Sequence, residues 1–375
     1  MTELSPRLNV PISTKELERR WKAVRRAMKA ARIDALLLQN NNDHMGGYVK
    51  YFTDLPATNG YPMTVVFPAD DDMTMVTQGS FGMAKELPHE GDGVRRGVKR
   101  WLTTPSYSSC HYTAPYDAEL AATGLAPYGS GTIGLVGTYQ MSVAVADHMR
   151  KAFPKAKFVD ASDLVDRIKI IKSPEEQELI KRTAAMQDGA MRAAFGAIEP
   201  GMRDKDVAAI AQCWSQRHYQ DRVIREGDYF TLLVEDSGPG GMYTELGRTC
   251  VLGRASAALK EEFAFTLEAR QFTLDLLRPG TPCKTIWDEY NAFMKKNKRP
   301  EESRLYCHGQ GYDLVERPLI RNDEPLAIEA NTNIVVHPTY VHRGIMSWVC
   351  DNYLIGKDGP GDRLHKFPEQ IVELG

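Results

Sequence analysis

No stretch of the sequence approaches the ~18 consecutive apolar residues that a membrane-spanning helix needs, so no membrane partner is expected. The amino terminus, MTELSPRLNVPISTKELERRW, lacks the basic start and apolar core of a secretory signal. Cysteine is scarce and scattered: Cys110, Cys213, Cys250, Cys283, Cys307 and Cys350 form no CxxC pair and no framework spacing. Such usage belongs to reduced thiols, and a cytoplasmic protein is expected. Neither sign of charge is in surplus, since 47 basic residues face 49 acidic ones for a formal net charge of -2. That balance leaves no electrostatic footprint for nucleic acid or anionic lipid. Internal repeats and low-complexity tracts are missing too.

What remains is a 375-residue chain, and a prior of ~100–200 residues per domain suggests two domains. Ser13 to Ala31 opens on a Ser/Thr cap and carries Leu17, Trp21, Val24 and Met28 at helical spacing. DALLLQ suits a buried strand, NNND a polar turn before YVKYFTD, and TVVFP, MTMVTQ and TIGLVG further short strands. With a helix over Val143 to Ala152, residues 1–160 read as an α/β domain. The second domain, 161–375, contains a long helix opened by Ser173-Pro174, whose Glu175 and Glu176 complement the first-turn dipole. After it come a helix near Asp204 to Gln216, the strand YFTLLVE, a glycine-rich turn and the strand RTCVLG. A helix from Ser256 to Leu277, another ending at Lys296 and short strands from Leu305 onward complete an α/β (α+β) chain.

Several segments resemble, in order, the creatinase, prolidase and methionine aminopeptidase family. They are RWKAVRRAMKAARIDALLLQ with YFTD, RIKIIKSPEEQELIKRTAAM, REGDYFTLLV, MYTELGRT, HGQGYDLVERP, and the region from VVHP to CDNYLI. The resemblance implies a creatinase-like amino-terminal domain followed by a pita-bread catalytic domain. Peptidases of that family hold two divalent metals through two aspartates, one histidine and two glutamates, a hard-ligand set that activates water. Counting back from Arg248-Thr249 puts the second aspartate at Glu245 and the first, eleven residues earlier, at Val234, which cannot ligate, although a strand slip would bring in Glu235 or Asp236 beside it. His308, in HGQG, matches the family histidine. His337 takes the place of the glutamate of a Glu-Pro pair, and Cys350 that of the last glutamate. Val315 stands where the peptidases have a second histidine. A strand-loop-strand of a few dozen residues is missing before REGD, and His218 lies at that junction, near where creatinase-like members carry a catalytic histidine.

These departures imply a rebuilt site rather than a standard dinuclear one. The expected activity is creatinase-like hydrolysis of a C–N bond in a small charged nitrogenous metabolite, with negligible cleavage of Xaa-Pro dipeptides. His308 would serve as general base and then acid, His337 as its partner, Glu245 as the group orienting or attacking the substrate, and Cys350 as a nucleophile. Substrate contacts are expected from His218, Glu316, Arg317, Asp351, Arg343, Asp43 and His44. The expected metal content is none or one ion, zinc as first choice, on Glu245, His308, His337 and Cys350. The alternatives are an Xaa-Pro peptidase-like metallohydrolase, a non-catalytic pita-bread binding module and a lyase acting on a small zwitterion. Blander readings stand beside these: a core histidine next to a tight turn, a buried cysteine that only packs, and an NNND turn explained by local Asx capping. A small-molecule substrate and a second copy of the chain, in a homodimer, are the expected partners.

Overall fold

The computed structural model describes residues 10–56, 60–107, 109–211 and 223–375. They form two compact units that divide between Lys169 and Ile170, against the expected division at 160. The first unit runs α1 (Thr14–Ala31), β1 (Ala35–Asn40), α2 (Gly47–Thr53), β2 (Met63–Pro68), β3 (Met73–Gln78), β4 (Met83–Glu86), β5 (Val98–Thr104), α3 (Tyr116–Leu125), β6 (Thr132–Val136), α4 (Val143–Ala152), β7 (Lys157–Asp160) and α5 (Ser162–Lys169). Its seven strands make one mixed sheet in the order β4-β5-β3-β2-β1-β6-β7. Ser13 caps α1 by accepting from the Glu16 amide, as its place before the apolar periodicity predicts. The segment YVKYFT falls in α2. Tyr48, Val49, Tyr51 and Phe52 are all buried, and their i, i+1, i+3, i+4 spacing suits a helix despite their strand-favouring side chains.

The second unit runs α6 (Pro174–Ala197), α7 (Asp204–Ala211), β8 (Tyr229–Ser237), β9 (Tyr243–Leu252), α8 (Ala257–Leu276), α9 (Cys283–Lys296), β10 (Cys307–Gly309), β11 (Glu316–Leu319), β12 (Asn333–Val336), β13 (Val349–Gly356), β14 (Gly359–Arg363) and β15 (Val372–Leu374). Ser173 and Glu176 close a full capping box on α6. The sheet order is β11-β10-β12-β13-β9-β15, with β8 paired to β9 and β14 to β13.

Period-2 alternation splits the strands of this sheet between two faces. On one face Ile334, Val336, Tyr353 and Ile355 pack with residues of α8 and α9. Leu232, Val234, Leu246 and Cys250 on β8 and β9 pack with Met191, Ala194 and Phe195 of α6. The intervening residues of the same strands, His308, Val335, Asn352, Glu245 and Glu235, are left for the opposite face.

Between β9 and β13 sits an ionic cluster buried on the helix side. Asp351 receives Arg248 at 2.8 Å and Arg270 at 3.0 Å, with Arg363 at 3.4 Å. Burial alone would raise its pKa, but the hydrogen bond to His365 and the charge of Arg248 outweigh it and hold the carboxyl below its ordinary value. Asp351, expected to meet substrate, is instead a structural anchor. Its stabilising contribution is present above the usual carboxyl range and falls away as the pH drops through its lowered folded value. Asp351→Asn should cost about 3–5 kcal/mol in urea unfolding at pH 7 by stranding the arginines, and should flatten the acid side of the stability curve. A loss below ~1 kcal/mol would show that the cluster does not hold the strands.

Candidate functional site

His308 lies in β10, between β11 and β12. A Cβ added to Gly309 would run into the Arg317 carbonyl, and one added to Gly311 would meet Lys172 Nζ at 2.6 Å and Glu316 Oε2 at 3.0 Å. The glycines of HGQG therefore serve close backbone and side-chain approach around the histidine. Glu316 Oε1 accepts from the amides of Tyr312 at 2.7 Å and Asp313 at 3.1 Å, and Oε2 from Lys172 at 2.5 Å. Arg317 forks onto Glu324. Both residues were expected to recognise substrate, yet both are engaged in fixing the loop.

His308 Nδ1 is 2.8 Å from the Gly309 carbonyl. A carbonyl only accepts, so Nδ1 carries the proton and Nε2 presents a lone pair. That Nε2 stands 3.9 Å from Glu245 Oε2, and the His337 ring crosses the His308 ring at 72° with centroids 5.3 Å apart. Ligand atoms of Glu245, His308 and His337 all lie within 4.8 Å of one another, and all three residues are buried. Neither ring nitrogen of His337 has a hydrogen-bond partner among the described residues, and the same holds for the indole nitrogen of Trp348, whose ring packs edge-on against His337. Burial pushes the His308 pKa down to about 4. Burial and then the neighbouring His308 push His337 down to about 3. Two neutral imidazoles thus face a carboxylate across a gap that suits a cation.

Cys350 does not join this set. Its Sγ donates to the Glu245 carbonyl at 3.6 Å. Burial, followed by the charges of Glu245 and Asp351, pushes the thiol well above its ordinary value. The Sγ is not among the ligand atoms that lie within 4.8 Å of one another, and its contact is to a backbone carbonyl, so the roles expected for Cys350 give way to packing. It packs where Gly247 stands opposite, since a Cβ on Gly247 would come within 2.9 Å of Cys350 Cβ.

Val234 also proves to be core. The register pairs Glu235, not Val234, with Glu245, so the two glutamates share the site face. The residue opposite Glu245 lies ten positions back and not eleven, so a count of eleven lands on a side chain that faces the core. Alternation across the glycine-rich turn was the signal available. An amide relay that sequence reasoning missed joins the two glutamates. Gln310 Nε2 donates to Glu235 at 3.3 Å, Asn352 Nδ2 donates to Gln310 Oε1 at 2.9 Å, and Asn352 Oδ1 accepts the Glu245 amide at 2.7 Å.

The remaining residues expected to meet substrate are Arg343, Asp43, His44 and His218. Arg343 is exposed in the loop between β12 and β13, at a φ of 51°. Asp43 and His44 belong to the first unit, partly exposed, where Asn42 Oδ1 accepts the His44 amide at 2.8 Å, an Asx turn. His218 lies outside the described residues.

The sequence model for the Creatinase/Prolidase N-terminal domain matches residues 20–171 and that for Metallopeptidase family M24 matches residues 211–357. The chain belongs to the creatinase/prolidase, pita-bread family. Among relatives of this family, the chain is 23% identical to a creatinase of Bacillus sp. (strain B-0618) over 335 residues, covering 81% of this chain and 76% of the relative. It is 23% identical to an Xaa-Pro dipeptidase of Pyrococcus furiosus over 270 residues, covering 64% and 75%. In fold it is similar to the X-Pro aminopeptidase of Thermotoga maritima, with a TM-score of 0.77 at 16% identity over 94% of this chain and 99% of that one.

Glu245, His308 and His337 fit one ion, and the orphaned nitrogens of His337 are the structural sign of that fit. The hydrogen bond from His308 Nδ1 to a backbone carbonyl is the support that metal-binding histidines ordinarily have. In chelator-treated protein, nitrogen NMR should show His308 as the Nδ1–H tautomer at pH 7 with no titration down to about pH 5. Because the folded value lies below the ordinary 6.5, protonation favours the unfolded chain and stability falls as the pH drops below 6.5. A midpoint near 6.5 would contradict the buried, neutral reading.

Proposed function

We propose that this chain is a hydrolase of its family, cleaving a C–N bond of a small charged nitrogenous molecule at a centre holding one divalent ion. The observation that carries the proposal is the buried convergence of Glu245, His308 and His337, with both nitrogens of His337 lacking partners among the described residues. With Cys350 outside the set, three protein ligands leave a position open, as in catalytic rather than structural zinc sites. A bound ion would act there as a Lewis acid and bring a water near neutrality. The chain's own contribution is to present His308 Nε2 through its bond to Gly309, to aim Glu245 through Asn352, and to exclude bulk water by burial. The names of the relatives, creatinase and Xaa-Pro dipeptidase, support a C–N bond as the target.

An ion-free site in which His308 Nε2 takes the proton of water is the second reading, favoured by its free lone pair. It is the weaker one, because efficient bases have pKa values near the working pH and His308 sits at about 4.

Elemental analysis and calorimetry should find one equivalent of metal, zinc by preference. His308→Ala and His337→Ala should weaken binding at least about a hundredfold, since losing a ligand costs more than the ~10–100-fold typical of outer-shell partners. Cys350→Ser should keep the ion. Two equivalents, or an ion lost with Cys350, would contradict the proposal.

The chain is further proposed to act as a homodimer. Support comes from the first unit, where Phe81, Tyr112, Tyr139 and Val143 stand exposed on segments that follow β3, β5 and β6. The carboxyl ends of these strands lie at one end of the sheet, and large apolar side chains exposed there suit association. Light scattering should give about twice the 42.0 kDa chain mass, and a monomer at micromolar concentration would refute the dimer.

A further inference from the structure

We propose that a cleft beside α1, in the first unit, binds a small, multiply phosphorylated solute. The inference goes beyond the function proposed above and does not depend on it. From Arg19 to Arg32 the chain carries seven basic residues and no acidic one, a local run that the near-zero net charge conceals. Arg20 is buried and held by Glu16 and the Tyr51 carbonyl. The other six, Arg19, Lys22, Arg25, Arg26, Lys29 and Arg32, line one cleft of about 820 Å³ together with two acids, Asp34 and Asp70.

Both acids are turned to internal partners. Asp34 Oδ2 accepts the Thr132 amide at 2.7 Å, and Asp70 Oδ1 accepts the Tyr128 hydroxyl at 2.7 Å. Arg19 is held by Glu16. Arg25 donates to the carbonyls of Pro68 and Asp71 and lies over the Phe67 ring, which fixes its guanidinium at the wall of the cleft. Lys22, Arg26, Lys29 and Arg32 are exposed and make no ion pair among the described residues. They follow one another at spacings of four, three and three, so successive cations are neighbours on the helix surface and repel. Lys29 and Arg32 gain from the carboxyl end of the helix dipole, whereas Lys22 and Arg26 lie too far back for that. A polyanion in the cleft relieves the repulsion.

Size and borders choose among polyanions. The volume falls in the ~300–1,000 Å³ range of small-molecule sites, and Ala23, Ile33 and Ala69 give the cleft an apolar strip among its cations. Arginine's planar fork matches phosphate oxygens in pairs, and lysine adds a mobile point charge. Past Arg25 the surface turns acidic, with Asp70, Asp71 and Asp72 grouped beside His89. A long polyanion such as RNA, or an anionic membrane, would run onto that acidic border, and a net charge of -2 offers it no wider attraction. A short one is contained between Lys22 and Arg32.

Inorganic tripolyphosphate is the probe, titrated by calorimetry into the full-length protein. Wild-type protein should bind it saturably, with an affinity that weakens as salt is raised. Arg26→Gln combined with Lys29→Gln should weaken binding at least about tenfold, the scale of lost charge-assisted contacts. Lys295→Gln combined with Lys296→Gln removes the same charge from α9 and should leave the affinity unchanged, which separates the cleft from an effect of net charge. All four side chains are exposed, so melting temperatures without ligand should match that of wild type. Lys22→Gln combined with Arg32→Gln is the second variant, read in the same way. Absence of saturable binding at low salt, or binding that neither α1 variant weakens, overturns the proposal, as does equal weakening by the α9 variant. Capture of an RNA oligomer or of phosphatidylglycerol vesicles without binding of tripolyphosphate overturns it as well, by assigning the cleft to a larger polyanion.

Discussion

The pairing of β9 with β13 is the constraint on which the site depends. A shift of one residue would exchange every side chain between the two faces of the sheet. Arg248 and Asp351 sit on those two strands and bond each other while fully buried, with Arg270 of α8 closing on the same carboxylate. On the helix side, then, a charge cluster locks the register. On the other side, the same register brings Glu245, Asn352 and Cys350 to the face where His308 and His337 converge. Structural and chemical polar groups alternate along one strand, and they serve opposite purposes one residue apart.

That alternation explains the division of labour among charged residues. Asp351, Glu316 and Arg317 look in isolation like groups for meeting a charged substrate. Each is instead held by an internal partner, and a buried charge persists only under that condition. What is left for chemistry is modest in charge: two glutamates, two imidazoles kept neutral by burial, and an amide relay. Glu245, His308 and His337 lie close enough together to hold one ion.

Much of this was legible in the sequence. The cap at Ser13, the Ser173-Pro174 helix start, most strands, the fold family and the trio of Glu245, His308 and His337 follow from spacing, capping chemistry and motif order. That Val234 offers no ligand was legible, but the choice between Glu235 and Asp236 as the residue facing the site was not, because it depends on the strand register, which pairs Glu235 with Glu245. Cys350 was misread for a different reason. Its position in the motif is that of a ligand, but the Sγ donates to a neighbouring carbonyl, a contact that no linear spacing reveals. In α2, Tyr and Val favour strands by composition while their spacing favours a helix, and packing decided for the helix.

The central claim is that one divalent ion is held by three residues and not by the five of the family peptidases. Anomalous diffraction at the zinc edge, from crystals grown with excess zinc, tests it directly. The account predicts a single peak about 2 Å from a carboxylate oxygen of Glu245 and one nitrogen each of His308 and His337, with Cys350 Sγ outside that shell. Two peaks, a peak bonded to Cys350, or an empty trio at saturating zinc would contradict it.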